Sequence, residues 1–113
     1  AALKNAEYQL AYYGREGEHY KRHRDGFPND GSQANMQGQV GRRVTVTLYM
    51  NEHKAKHGGL LRVYPQKADM SGDADPVDVA PVAGRAVIFL SGAMYHEVLP
   101  SFAPRCAIAA WYS

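Results

Sequence analysis

The stretch HYKRHRDGF (residues 19–27) carries a His-x-Asp, His23 and Asp25, directly after a strand-like run and directly before a Gly/Pro/Asn loop. Side chains two apart on a β-strand point to the same face. One imidazole and one carboxylate can therefore aim at a single point. Both are good ligands for first-row divalent metals. The same pair also arises as two solvated polar residues at a strand end, so the rest of the chain has to supply the remainder of a site.

Two more features do so. His96 opens the strand-like run HEVLP, and Arg105 follows nine residues later at the start of another strand. If those strands form a hairpin, one places a third ligand and the other a cation deeper inside. Two histidines and one carboxylate make the facial triad of non-haem Fe(II) sites, which leaves positions open on the metal. Those positions can take a bidentate 2-oxo acid and dioxygen (O2). Arg105 would grip the far carboxylate of that acid in a charge-assisted pair, and the Tyr49 hydroxyl could donate to the same group. Each residue has a plainer alternative. His96 could be a hydrogen-bonded strand-end histidine, Arg105 an edge cation in water, and Tyr49 an ordinary amphipathic tyrosine. His19, His53 and His57 read as surface residues, with no carboxylate placed to complete a site around them.

Positioning such a set requires strands, and the chain predicts little else. Short β-type runs split by turn residues cover 8–13, 18–23, 43–50, 60–64, 77–82, 86–90, 95–99 and 105–112. No stretch reads as a convincing helix. Along 43–50, Val44, Val46, Leu48 and Met50 share one face and Thr45, Thr47 and Tyr49 the other. Along 105–112, Arg105, Ala107, Ala109 and Trp111 alternate with Cys106, Ile108, Ala110 and Tyr112. In both, one face is apolar and the other mixes small residues with a polar handle. A purely packed core would not bury a guanidinium without a partner, whereas a cavity holding an anion would. Residues 86–90, AVIFL, are continuously apolar, as expected of a strand buried on both faces. The loop 26–41 is polar and glycine-rich, too long for a plain hairpin, and reads as a lid or a disordered loop at the rim where Tyr20 and Arg22 also lie. Eight strands at this spacing predict an all-β sandwich or barrel.

The 113 residues suffice for one domain with a real core. A net charge of +2 gives no case for a nucleic-acid or membrane partner. There is no run of eighteen apolar residues to span a bilayer as a helix, and the start lacks a signal-peptide pattern. The lone Cys106 rules out an internal disulfide and favours a reducing compartment.

The stretches YYGREGEHYKRHRDGF, RRVTVTLYMN, GGLLRVYP, VAPVAGRAVIFLSG and HEVLPSFAPRCAIAAWYS cover nearly all of the chain from Tyr8 onward. In them the chain resembles the iron- and 2-oxoglutarate-dependent dioxygenases of the prolyl 4-hydroxylase group. Its nearest likeness is the oxygen-sensing enzymes that act on hypoxia-inducible factor. The resemblance implies a double-stranded β-helix, the jelly-roll or cupin-like barrel, of eight strands. It implies Fe(II) at His23, Asp25 and His96, and the distal carboxylate of 2-oxoglutarate at Arg105 with help from Tyr49. Tyr13 falls beside the co-substrate, Leu61 on the pocket wall, and Trp111 and Arg42 where the target proline is touched. Collagen-type relatives carry a lysine at the position of Arg105. Nucleic-acid demethylases of the superfamily carry a second arginine where this chain has Trp111.

The implied reaction hydroxylates a proline in a protein or peptide while 2-oxoglutarate and O2 become succinate and carbon dioxide, with ascorbate as auxiliary reductant. Neither nucleic acid nor membrane is expected as a partner, and a cytoplasmic or nuclear location is expected. Residues 1–113 are read as one catalytic core, part of a longer protein, without the supporting N-terminal helices of the family. Its outward apolar faces (Leu10/Tyr12, Val44/Val46/Leu48, Ile108/Ala110/Tyr112) should then be exposed. There are departures: Ala109 replaces a threonine near the iron, and the loop 26–41 is longer. Two other readings stay open, the same chemistry on a free amino acid or small molecule, and a non-catalytic binding barrel.

Overall fold

Eight strands, all paired antiparallel, form two four-stranded sheets in a computed structural model that describes residues 2–26, 41–69 and 71–113. In chain order they are β1 (Ala6–Tyr13), β2 (Glu18–His23), β3 (Val44–Tyr49), β4 (Leu61–Tyr64), β5 (Val77–Val79), β6 (Ala86–Leu90), β7 (Tyr95–Ser101) and β8 (Arg105–Tyr112). The first sheet has the order β1-β8-β3-β6 and the second β2-β7-β4-β5. This is the double-stranded β-helix expected from the sequence. The only helical turn among the described residues is a 3₁₀ segment, Ala55–His57. Most of the loop 26–41 lies outside the described residues.

Three expectations change. β7 and β8 are not a hairpin: β7 pairs with β2 and β4, and β8 with β1 and β3. The turn between them carries the chain from one sheet to the other, so His96 and Arg105 face each other across the interior instead of along one ladder. β6 is not buried on both faces, because it is the edge strand of its sheet; Ile88 and Leu90 are 67% and 63% exposed and only Phe89 is buried. Arg22 does not reach the rim. It points outward, stacks over the rings of Tyr64 and Tyr95, and pairs with Asp73 at 2.9 Å.

The alternation in β3 and β8 resolves in favour of a lined cavity. Thr45, Tyr49, Arg105 and Ala107 are buried between the sheets, while Leu48 and Met50 are exposed. Register then stacks Val44 on Leu90, Val46 on Ile88, and Leu10 and Leu48 on Ile108 across the outer face of the first sheet. That face is a continuous apolar surface on which Tyr8, Leu10, Tyr12 and Ile88 are exposed. Ala110 departs from it: flanked by Tyr8 and Val46, its small side chain is covered. The interior is the more unusual side. Among the described residues five buried hydrophobic residues of the interior, Tyr49, Leu61, Phe89, Val98 and Ala107, stand beside six buried polar or charged ones, Asp25, Thr45, Ser91, His96, Ser101 and Arg105. Buried polar groups on this scale need partners, so the space between the sheets is built as a site.

Candidate active site

Strand β2 ends on His23, and antiparallel pairing sets it directly opposite His96 of β7. The two rings lie 4.3 Å apart between centroids and tilted 55° to each other, with Phe89 against His96 at 4.7 Å. Asp25 follows just past the strand end. Its Oδ1 lies 3.2 Å from His23 Nε2 and 3.3 Å from His96 Nε2. One ligand atom from each residue falls within 4.8 Å of the others. Both Nδ1 atoms lie against backbone carbonyls, His23 against Lys21 at 2.6 Å and His96 against Met94 at 3.0 Å. An Nδ1–H donating there leaves each neutral ring with its Nε2 lone pair aimed at the carboxylate. Three lone-pair donors converging on one point repel each other unless a proton or a metal cation lies among them. The donor set and its second-layer carbonyls suit Fe(II).

Asp25 is held from behind. Its Oδ2 accepts from Thr45 Oγ1 at 2.9 Å, and Ser91 Oγ lies 2.8 Å from the same hydroxyl. The single Thr45 proton goes to the carboxylate, so Ser91 donates to Thr45. The next residue has to be glycine: a Cβ on Gly26 would sit 2.7 Å from the Arg42 carbonyl oxygen. Its N–H donates to the Ser91 carbonyl at 2.9 Å, so the loop end and the Thr45–Ser91 chain fix the carboxylate together. Burial alone would raise the Asp25 carboxyl. Where a proton rather than a metal lies among the donors, Nε2–H donation from His23 and His96, the charge of His96 and the neighbouring Trp111 indole outweigh it and hold the group well below the usual carboxylate range. The Thr45→Val variant keeps the shape and removes the proton that orients Asp25. It should weaken metal binding by roughly tenfold or more, measured as the Mn(II) or Co(II) dissociation constant, and lower the melting temperature, since Asp25 Oδ2 and Ser91 Oγ lose a buried partner.

Across a cavity of about 730 Å³ stands Arg105. It is 6% exposed, and its guanidinium lies 5.0 Å from the rings of both Tyr13 and Tyr49. Its Nε donates to the Gly59 carbonyl at 2.9 Å, and no carboxylate pairs with it among the described residues. Gly59 has φ +66, and a Cβ there would meet Arg105 Cδ at 2.9 Å, so the close approach depends on glycine. The Tyr49 hydroxyl is buried without a hydrogen-bond partner. Burial raises both the Tyr49 and Tyr13 phenols, with Arg105 pulling the other way, so both remain protonated donors at neutral pH. A buried cation beside an orphaned O–H donor is a cradle for an anion. Leu61, 4% exposed, walls the same cavity.

Trp111 closes the side toward Asp25. Its indole N–H is also buried without a partner, and Arg42 lies flat on its ring at 4.0 Å. The expected metal ligands, co-substrate residues and substrate-side residues, with Tyr20 of the rim, thus line one space, which Arg22 does not reach. The sequence reading missed Thr45, Ser91 and Glu7. Thr45 was detectable, since it shares the inward parity of Tyr49 on β3. Ser91 follows β6 with no pattern to mark it, and Glu7 faces the cavity rim from β1.

Residues 8–113 match the family model of the 2OG-Fe(II) oxygenase superfamily. The chain belongs to that superfamily. Its members imply Fe(II), 2-oxoglutarate and O2, and the triad and the anion cradle fit the first two. The chain is 37% identical over 106 residues to the hypoxia-inducible factor prolyl hydroxylase of Caenorhabditis elegans, covering 91% of this chain and 13% of that protein. It is 36% identical over 106 residues to human prolyl hydroxylase EGLN3, covering 91% of this chain and 38% of that one. A solved Pseudomonas putida prolyl-4-hydroxylase superposes with a TM-score of 0.75 at 37% identity, over 97% of this chain and 53% of the other. A Trichoplax adhaerens prolyl hydroxylase, solved with a hypoxia-inducible-factor peptide, gives 0.76 at 31%, over 97% and 44%. The chain therefore spans well under two thirds of these relatives' lengths.

Proposed function

We propose that residues 1–113 form the catalytic core of an Fe(II)- and 2-oxoglutarate-dependent peptidyl-prolyl 4-hydroxylase. The observation that carries this is the His23–Asp25–His96 cluster, with Asp25 and His96 buried, facing across one cavity a buried Arg105 that has no acid partner among the described residues. A dicarboxylate spanning that space would satisfy both ends. His23, Asp25 and His96 would hold the iron. Arg105 and the Tyr49 hydroxyl would hold the far carboxylate, with Tyr13 and Leu61 flanking the chain between. When bound, the iron supplies the dioxygen chemistry that couples loss of carbon dioxide to hydroxylation. The protein's own residues orient the co-substrate, exclude water and present the proline.

Trp111 and Arg42 border the cavity on the Asp25 side, where a substrate chain would pass. Similarity to prolyl hydroxylases at 36–37% identity supports proline as the target over a free amino acid. The likeness to hypoxia-inducible-factor hydroxylases supports oxygen sensing as the finer role, tested by the KM for O2, and ascorbate is proposed to stimulate turnover. The deciding experiment is succinate release over a panel of proline peptides, with free proline and a hydroxyproline peptide as controls. Release with a peptide, and a mass gain of one oxygen on it, is the expected result. Release with free proline alone would shift the assignment to small-molecule hydroxylation.

A further inference from the structure

Glu7 and Arg42 meet across the mouth of the cavity, on the Asp25 side and outside the metal-ligand set and the anion cradle. Glu7 stands on β1 opposite Trp111 of β8 in the sheet register. Its two carboxylate oxygens accept from Arg42 Nε and Nη2, each at 3.2 Å, the two-point fork of an arginine–carboxylate pair. Arg42 Nη1 donates to the Asp25 backbone carbonyl at 3.4 Å, and the guanidinium plane covers the Trp111 ring. The Arg42 side chain is 14% exposed and that of Glu7 is 53% exposed.

Arg42 is thus a mostly covered cation, pinned on an indole and tied to the backbone of a metal-ligand candidate. Of the two edges with which a guanidinium takes up a carboxylate, the Nε/Nη2 side is filled by Glu7, and Nη1 of the other is engaged by the Asp25 carbonyl. The hydrogen bonds from Arg42 hold the Glu7 carboxyl below its ordinary range, so it stays ionised at neutral pH. A substrate carboxylate arriving beside Trp111 would have to displace Glu7 and sit near its charge. A neutral or basic side chain would meet no such competitor, and a basic one would find the open side of Glu7.

Building on the prolyl hydroxylase assignment above, we propose that Glu7 is a specificity-determining residue that occupies the Nε/Nη2 carboxylate-binding edge of Arg42. The rim then selects proline segments with neutral or basic flanks and disfavours acidic ones.

The test uses three proline peptides differing only in a flanking Gln, Lys or Glu, with anaerobic protein loaded with Fe(II) and 2-oxoglutarate. Trp111 is the sole tryptophan of the chain, so its emission reports on the rim directly. The wild type should bind the Lys and Gln peptides about fivefold more tightly than the Glu peptide, the scale of partly exposed charge pairs. Glu7→Gln should erase or invert that order by tightening the Glu peptide, and Glu7→Lys should carry it further. The KM values in succinate release should follow, with melting temperatures close to wild type. Binding and turnover whose charge preference is the same in wild type and Glu7→Gln overturn the role of Glu7 alone. Failure of every proline peptide to bind or react with either protein overturns the prolyl assignment and the Glu7 role together.

Discussion

Replacing His96 by alanine should abolish tight Fe(II) binding and with it all 2-oxoglutarate turnover. The variant removes one of three donors that converge within 4.8 Å, and the two left, His23 and Asp25, offer no facial set. His96 is also the most buried of the histidine donors, with its side chain 7% exposed against 26% for His23, so water cannot take its place without a polar partner beyond it. The direct measurement is an anaerobic titration. Fe(II) with 2-oxoglutarate should give the wild type a visible metal-to-ligand charge-transfer band that His96→Ala and His23→Ala lack. Because His96 packs on Phe89, the alanine variant loses core volume as well. His96→Gln fills that space without restoring the ring nitrogen, and the band should be missing there too in a protein that melts as a single transition. A band of normal intensity in a folded His96→Gln protein would remove this residue from the metal site.

How much of this was legible beforehand depended on whether the information was periodic or relational. The parity of β3 and β8 put Tyr49 and Arg105 on inward faces, because a strand's side chains alternate whatever it pairs with. His23 was legible for the same reason; Asp25, already past the strand end, is brought beside it by Thr45 and the Gly26–Ser91 hydrogen bond. Pairing partners were not. The turn that ends at Pro104 looks like a hairpin in sequence, yet it changes sheets, and nothing local distinguishes the two outcomes. AVIFL looked doubly buried because an apolar run does not say whether its strand ends up central or at an edge. Thr45, Ser91 and Gly26 hold Asp25 through contacts that reach from residue 26 to residue 91. The Glu7–Arg42 pair, 35 residues apart, is relational in the same way. Similarity to known enzymes supplied candidate ligands, and the three-dimensional contacts supplied what steadies them.

Arg105→Ala should raise the 2-oxoglutarate requirement while leaving the metal in place. The guanidinium is 6% exposed, makes one hydrogen bond through Nε to Gly59, and has no acid partner among the described residues. A dicarboxylate reaching it would form a buried charge-assisted pair, and truncating one side of such a pair costs about 2–4 kcal/mol. That corresponds to a KM increase on the order of a hundredfold, with kcat far less affected at saturating co-substrate. Arg105→Lys should recover only part of the loss, because an ammonium cannot present the planar fork. Stability provides a second readout. A buried cation without a counter-charge is unfavourable, so Arg105→Met, which keeps much of the apolar bulk, should leave the ligand-free melting temperature unchanged or higher. The wild type should gain stability from 2-oxoglutarate, about 2.7 kcal/mol at a hundred times its dissociation constant, and the Met variant should gain almost none. If Arg105→Met is instead destabilised without ligand and still stabilised by 2-oxoglutarate like the wild type, the arginine is a packing residue and the anion binds elsewhere. The buried Tyr49 hydroxyl separates the two cases further: Tyr49→Phe removes only a donor that has no protein partner. It should weaken 2-oxoglutarate binding severalfold, by about 1 kcal/mol, and leave the ligand-free protein as stable as before.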